Sequence, residues 1–152
     1  MNESLLNPVS DAGLDRRWTA VRKAMAGRGV EAIVAQSNNG WLGGHSKWLT
    51  DHPATKDYPK TVVFRANDFM TVVDMGPRGG ARKLGGSDEV YRGVGEILTT
   101  SVAYTDEYQA ELVASDIRRR NYKAVGVVGG GALPHRFMTC CRPHAADAGE
   151  LR

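Results

Sequence analysis

The stretch that decides the fold is Lys123-Ala124-Val125-Gly126-Val127-Val128-Gly129-Gly130-Gly131-Ala132-Leu133-Pro134. Its β-branched run, closed by glycines, predicts a buried, central parallel strand that enters a tight loop. Ligands of α/β proteins usually lie at the carboxyl end of such a strand. A dinucleotide or phosphate cradle is disfavoured, because the glycine spacing fits neither G-x-G-x-x-G nor G-x-x-x-x-G-K-[ST]. Pro134 also stands where a phosphate-binding helix should offer free N–H groups.

The composition is that of an ordinary globular chain. It has 152 residues, of which 41% are hydrophobic and 24% charged, and a net charge of +3, which predicts a single folded domain. The one run of cations, residues 118–120, is better explained by a helix C-terminus than by a nucleic-acid contact. With no membrane span, no signal-peptide pattern and no disulfide framework, we expect a cytoplasmic protein without nucleic-acid or membrane partners.

Apolar residues at helical spacing predict two helices. An apolar stripe predicts a first helix, with Asp11 as a plausible N-cap; the stripe consists of Leu14, Trp18, Val21 and Met25. We expect a flexible N-terminal arm before this helix and assign residues 1–13 to it. The second helix starts near Thr105, the expected N-cap, and its buried face carries Ala110, Val113 and Ile117.

Short apolar runs between these helices predict the strands. They cover residues 30–35, a hairpin over 61–65 and 69–74, a further strand within 93–104, and the deciding stretch. A basic, glycine-rich connection at residues 76–86 is expected to be mobile or to wrap an edge. Hairpins inside an α/β order predict a mixed sheet flanked by helices.

Residues 41–60 form an aperiodic segment rich in aromatic and histidine side chains. Pro53 and Pro59 interrupt regular structure, so we expect a long loop. Such loops are more often functional than connective. His45 and His52, with Asp51 and Asp57, could form a metal-binding or polar cluster. The favoured interpretation is that these side chains lie on the solvated surface of a loop.

The C-terminal residues differ in character from the rest. Residues 139–152 show no helical or strand period and few large aliphatic side chains, so we expect an atypical, loosely packed tail after a domain of residues 14–138. A zinc site of His135, Cys140, Cys141 and His144 is disfavoured because adjacent cysteines point to opposite faces. No nucleophile elbow or carboxylate pair is present, and no catalytic residue is predicted.

Taken together, residues 17–137 resemble the N-terminal domain of the creatinase, prolidase and aminopeptidase P family. The resemblance rests on the order of the first helix, Gly29-Val-Glu-Ala-Ile-Val-Ala, Asn39-Gly-Trp-Leu-Gly-Gly, Pro59-Lys-Thr-Val-Val-Phe, Met70-Thr-Val-Val-Asp-Met and Lys123-Ala-Val-Gly-Val-Val-Gly. It implies a mixed sheet of ribonuclease H-like topology, truncated at its C-terminus, since the family's next helix and strand are not recognisable after Phe137.

The resemblance also implies a role. In this family the N-terminal domain helps to dimerise and lends residues to the rim of a partner's active site, and Trp41, His45, Trp48 and His52 are the candidates by position. The metal pair of the peptidase branch is expected only in a separate catalytic domain, as are peptide or small amidino substrates. We therefore expect no cofactor in this chain and a homo-oligomer. The alternative is a stand-alone interaction module that uses the aromatic loop 41–58.

Overall fold

The computed structural model describes residues 8–37, 44–52, 58–103 and 105–141. Their helices and strands follow the order α1 (Asp11–Ala26), β1 (Ala32–Ser37), α2 (Gly44–Thr50), β2 (Lys60–Arg65), β3 (Met70–Met75), β4 (Gly80–Lys83), β5 (Val94–Thr100), α3 (Glu107–Arg119), β6 (Val125–Val128) and α4 (His135–Cys141), with a 3-10 turn at Gly130–Ala132. None of these helices combines the length and the apolarity needed to cross a bilayer.

The strands form one mixed sheet in the order β4-β5-β3-β2-β1-β6. The pairs β1–β2, β2–β3 and β4–β5 are antiparallel, whereas β1–β6 and β3–β5 are parallel. Because β1, β3, β5 and β6 run the same way, their carboxyl ends meet at one edge of the sheet. The predicted mixed sheet flanked by helices is confirmed, and so is the hairpin of β2 and β3.

The two faces of the sheet are covered by different helices. On one face Met25 of α1 and Leu49 of α2 pack with Val62, Phe64 and Val72. On the other face a second cluster joins α3 and α4 to the sheet; it includes Val34, Val63, Val73, Ala110, Val113, Ile117 and Phe137. The apolar stripes predicted for the two long helices are therefore the faces that the helices bury.

The two long helices begin at residues that differ from the predicted caps. The cap of α1 is Ser10, whose Oγ accepts a hydrogen bond of 3.1 Å from the N–H of Gly13. The helix thus begins within the segment assigned to the arm, of which residues 1–7 lie outside the described part. Asp106, not Thr105, precedes α3, and it does so in the left-handed region at φ 53° without a capping side-chain bond.

The deciding stretch holds a strand that is parallel, as predicted, but neither central nor fully buried. Strand β6 pairs with β1 alone in the described sheet and stands at its edge. Val127 is 38% exposed. A β-branched run is equally compatible with either position, because its period does not report what lies beside the strand.

Two short helices correct the predicted loop and the predicted tail. Helix α2 occupies residues 44–50 of the segment expected to be a loop, and α4 continues to Cys141 in the segment expected to be loosely packed. Phe137 and Cys141, one helical turn apart, are both buried against α3. Cys141 is therefore part of the core and not of a loosely packed tail, and burial raises its pKa to about 12. Residues 142–152 lie outside the described part.

Candidate functional site

Helix α2 places two of the four candidate residues on the surface. It follows β1, and its first turn is tied to that strand by the N–H of Ser46, which donates to Ser37 Oγ at 3.0 Å. Ser46, Leu49 and Thr50 are buried, and Thr50 Oγ1 donates to the Ser46 carbonyl at 2.7 Å. With the inward face fixed in this way, His45 and Trp48 point outward.

His45 and Trp48 line a common apolar pocket of about 160 Å³. The rest of its lining is aliphatic and comes from α1, β1, α2 and β6: Val21, Ile33, Ala35, Leu49 and Val128. His45 Nε2 lies 3.1 Å from the position that a Cβ would take on Gly129. The pocket therefore extends from the middle of β1 to the carboxyl end of β6, and ligands of α/β proteins commonly bind at the carboxyl ends of strands.

Trp48 is held by the first helix while much of its ring stays exposed. The guanidinium of Arg17 lies 5.4 Å from the ring centroid, and Arg17 Nη1 donates to the Trp48 carbonyl at 3.1 Å. The side chain is nevertheless 43% exposed. A large aromatic ring that is fixed in place and open to solvent is suited to a protein contact, because Trp side chains supply much of the binding energy of interfaces.

His52 belongs to a different cluster. Its ring stacks on Tyr91 with 4.7 Å between centroids, and Nδ1 lies 2.6 Å from Lys60 Nζ. With Lys60 protonated, Nζ donates to Nδ1, which leaves the proton of a neutral His52 on Nε2. The structure thus brings His45 and Trp48 together and separates His52 from them, whereas Trp41 lies outside the described residues.

Lys60 is the centre of this second cluster and was missed by sequence reasoning. It is fully buried, forms an ion pair of 3.0 Å with Asp74, and lies 5.9 Å from the Tyr91 ring. Burial lowers the pKa of Lys60, and the Asp74 carboxylate partly opposes that effect. Burial and the Asp74 charge raise the pKa of Tyr91. Since Lys60 is closed to solvent, the cluster anchors the start of β2 rather than offering a reactive amine.

Asp51, which the sequence placed near the histidines, bonds to neither. It is buried, and its Oδ2 accepts from the N–H of Val9 at 2.7 Å and from Arg92 at 2.9 Å. Asp57 lies outside the described residues. Within the described ranges, no group of three or more His, Cys, Asp or Glu side chains is placed to hold a metal ion.

No family model and no curated protein sequence matches the chain. Among solved structures, the chain is similar to an Xaa-Pro aminopeptidase from Streptococcus pyogenes, with a TM-score of 0.55 and 17% sequence identity. The chain has the fold of that peptidase chain. The match covers 88% of this chain and 85% of the other, so it includes nearly all of both. The mixed sheet flanked by helices that the family resemblance implies is therefore confirmed.

Proposed function

We propose that the chain is a non-catalytic N-terminal domain of a creatinase- or Xaa-Pro-peptidase-like hydrolase, whose catalytic domain lies outside this sequence. In this role it forms dimer contacts and contributes to the rim of a partner's active site in the cytoplasm. The metal pair of the peptidase branch, and the peptide or small amidino substrate, belong to that other domain.

The observation that carries the proposal is the outward face of α2, which we define as His45 and Trp48. This face combines a fixed, half-exposed Trp ring with an apolar pocket of about 160 Å³ beneath it. The likeness of fold to an aminopeptidase supports the assignment to a hydrolase of this kind. The alternative, a stand-alone interaction module, would use the same face of His45 and Trp48. These residues lie on a short helix and not in the loop expected from the sequence.

The non-catalytic part of the proposal is tested by titrating the chain with Mn²⁺ or Co²⁺ in a calorimeter while assaying Xaa-Pro peptides and creatine. We expect no stoichiometric metal site and no turnover above background. One tight metal site, or hydrolysis that follows the protein concentration, would show that this chain carries chemistry of its own. The docking part is tested separately, through self-association and Trp48.

A further inference from the structure

A cleft of about 520 Å³ separates the first half of α1 from the loop between β4 and β5. Its apolar walls are Trp18, Phe69 and Met70. Phe69 is 48% exposed although its ring is large and apolar. None of the residues that line this cleft lines the pocket beneath α2. The cleft is therefore a second surface, independent of the one used in the proposed function.

The aromatic walls lie directly against bare backbone. A Cβ on Gly86 would come within 2.3 Å of the Phe69 ring, and one on Gly93 within 2.5 Å of the Trp18 ring. Both glycines also have positive φ, at 84° and 71°, which other residues rarely adopt. Trp18 Nε1 donates to the Leu49 carbonyl at 2.7 Å, which fixes the indole. The walls are thus built in advance of any ligand.

The rim of the cleft carries an excess of negative charge. Four carboxylates line it, Asp11, Asp15, Asp88 and Glu89, against the two guanidinium groups of Arg22 and Arg92. Arg92 is itself shared between Asp11 and the buried Asp51, at 2.8 and 2.9 Å. Neither Asp15 nor Glu89 forms an ion pair with another described residue.

The second basic group of the cleft is turned towards backbone carbonyls. Arg22 donates to the carbonyls of Arg65 and Asp68, each at 3.3 Å, and stacks on Phe64 at 5.0 Å. Backbone hydrogen bonds, the largest from Tyr91, and the ion pair with Arg82 hold the pKa of Asp88 below its ordinary value. Because Arg82 balances the Asp88 charge, the excess negative charge of the rim comes from Asp15 and Glu89. The cleft therefore presents aromatic walls and a net negative rim.

We propose that this cleft binds a peptide segment of a partner protein in which Arg or Lys stands beside an apolar side chain. The apolar side chain packs against Trp18 and Phe69, whose faces also attract a cation. The cation is complemented by Asp15 and Glu89 at the rim. This inference goes beyond the proposed function, because it assigns a class of ligand to a cleft that no residue of α2 lines.

The test is calorimetric titration of the full chain with two peptides, acetyl-Ala-Leu-Arg-Leu-Ala-amide and the same peptide with Glu in place of Arg. We expect the Arg peptide to bind with a Kd below about 1 mM and the Glu peptide to bind at least about tenfold more weakly. The double variant Asp15→Asn, Glu89→Gln should weaken binding of the Arg peptide by about tenfold, whereas Glu111→Gln, an exposed carboxylate on α3, should not change it.

Three results would overturn the inference. They are equal binding of the two peptides, no heat from the Arg peptide up to about 5 mM, and unchanged affinity in a double variant whose circular dichroism is that of the folded parent. If the double variant instead converts a dimer to a monomer in sedimentation, the cleft holds a second copy and not a separate peptide. The three overturning results leave the assignment of α2 untouched, because neither substitution lies on that helix. Loss of the dimer in the double variant would instead place the dimer contact in the cleft and not on α2.

Discussion

Arg65 and Asp116 form an ion pair inside the protein, with 2.6 Å between Nη2 of Arg65 and Oδ2 of Asp116. Their side chains are 2% and 0% exposed, and they join β2 to α3. Arg65 also donates to the Phe69 carbonyl and to Thr71 Oγ1, and Asp116 accepts from Arg119 at 2.7 Å. Burial opposes the charge of Asp116, but the hydrogen bond from Arg119 and the charge of Arg65 hold its pKa below the ordinary value.

Removing one partner of this pair should be costly. We expect Asp116→Asn to lower the free energy of unfolding by about 3–5 kcal/mol, because it leaves the charge of Arg65 buried without a carboxylate. The control is Arg82→Met in the exposed pair with Asp88, where Arg82 is 61% exposed, and should cost less than about 1 kcal/mol. Urea unfolding measures both. Equal costs for the two variants would mean that the buried pair does not hold α3 to the sheet.

The carboxyl of Asp106 should make the stability fall as the pH rises. Burial raises its pKa from 3.8 to about 6, so the folded state holds a proton that the unfolded chain releases between these values. Stability is therefore lost as the pH rises through this window. We expect Asp106→Asn to stabilise the protein by about 1–2 kcal/mol at pH 7, a rise in Tm of roughly 3–6 °C.

The gain from Asp106→Asn should disappear at about pH 4, where the Asp106 carboxyl is protonated in the folded protein. Asn is also tolerated at positive φ, but that benefit would not depend on pH. Thermal unfolding at the two pH values separates the two effects. A gain of the same size at both would assign it to the backbone and contradict the account of the carboxyl.

Helix α4 should be required for stability. Phe137 is fully buried against α3, and we expect Phe137→Ala to cost about 3–5 kcal/mol in urea unfolding. The control is Thr139→Ala, at an exposed position of the same helix, which should change the free energy of unfolding by less than about 0.5 kcal/mol. A small effect at Phe137 would restore the interpretation of a loosely packed tail.

The sequence predicts best the elements whose apolar residues repeat over several turns or pair in a hairpin. Helices α1 and α3 and the β2–β3 hairpin are of this kind. Helix α2 was not predicted, because two of its three buried residues, Ser46 and Thr50, are polar and therefore give no apolar period. Helix α4 buries only Phe137 and Cys141, too few for a period. The edge position of β6 depends on its neighbours in space, which no local pattern records.

The sequence predicted only part of the candidate site, because local patterns do not record which residues meet in the folded protein. The aromatic and histidine content of residues 41–60 pointed to the surface that carries His45 and Trp48. Their separation from His52 follows from Lys60 and Tyr91, which the tertiary fold brings to His52 from other parts of the chain. The cleft beside Trp18 likewise depends on Gly86 and Gly93, whose close contacts exist only in the folded protein.

The most direct test of the proposed function is light scattering of the chain over a concentration series up to about 100 μM, since even an interface of about 6 kcal/mol gives measurable dimer there. We predict a mass that rises towards the dimer, and a dissociation constant that Trp48→Ala raises by about thirtyfold without loss of circular dichroism. Val90→Ala, at a residue 44% exposed elsewhere on the surface, should leave the dimer unchanged. A monomer at every concentration, or a Trp48→Ala chain that unfolds, would contradict the assignment of α2 as the docking face.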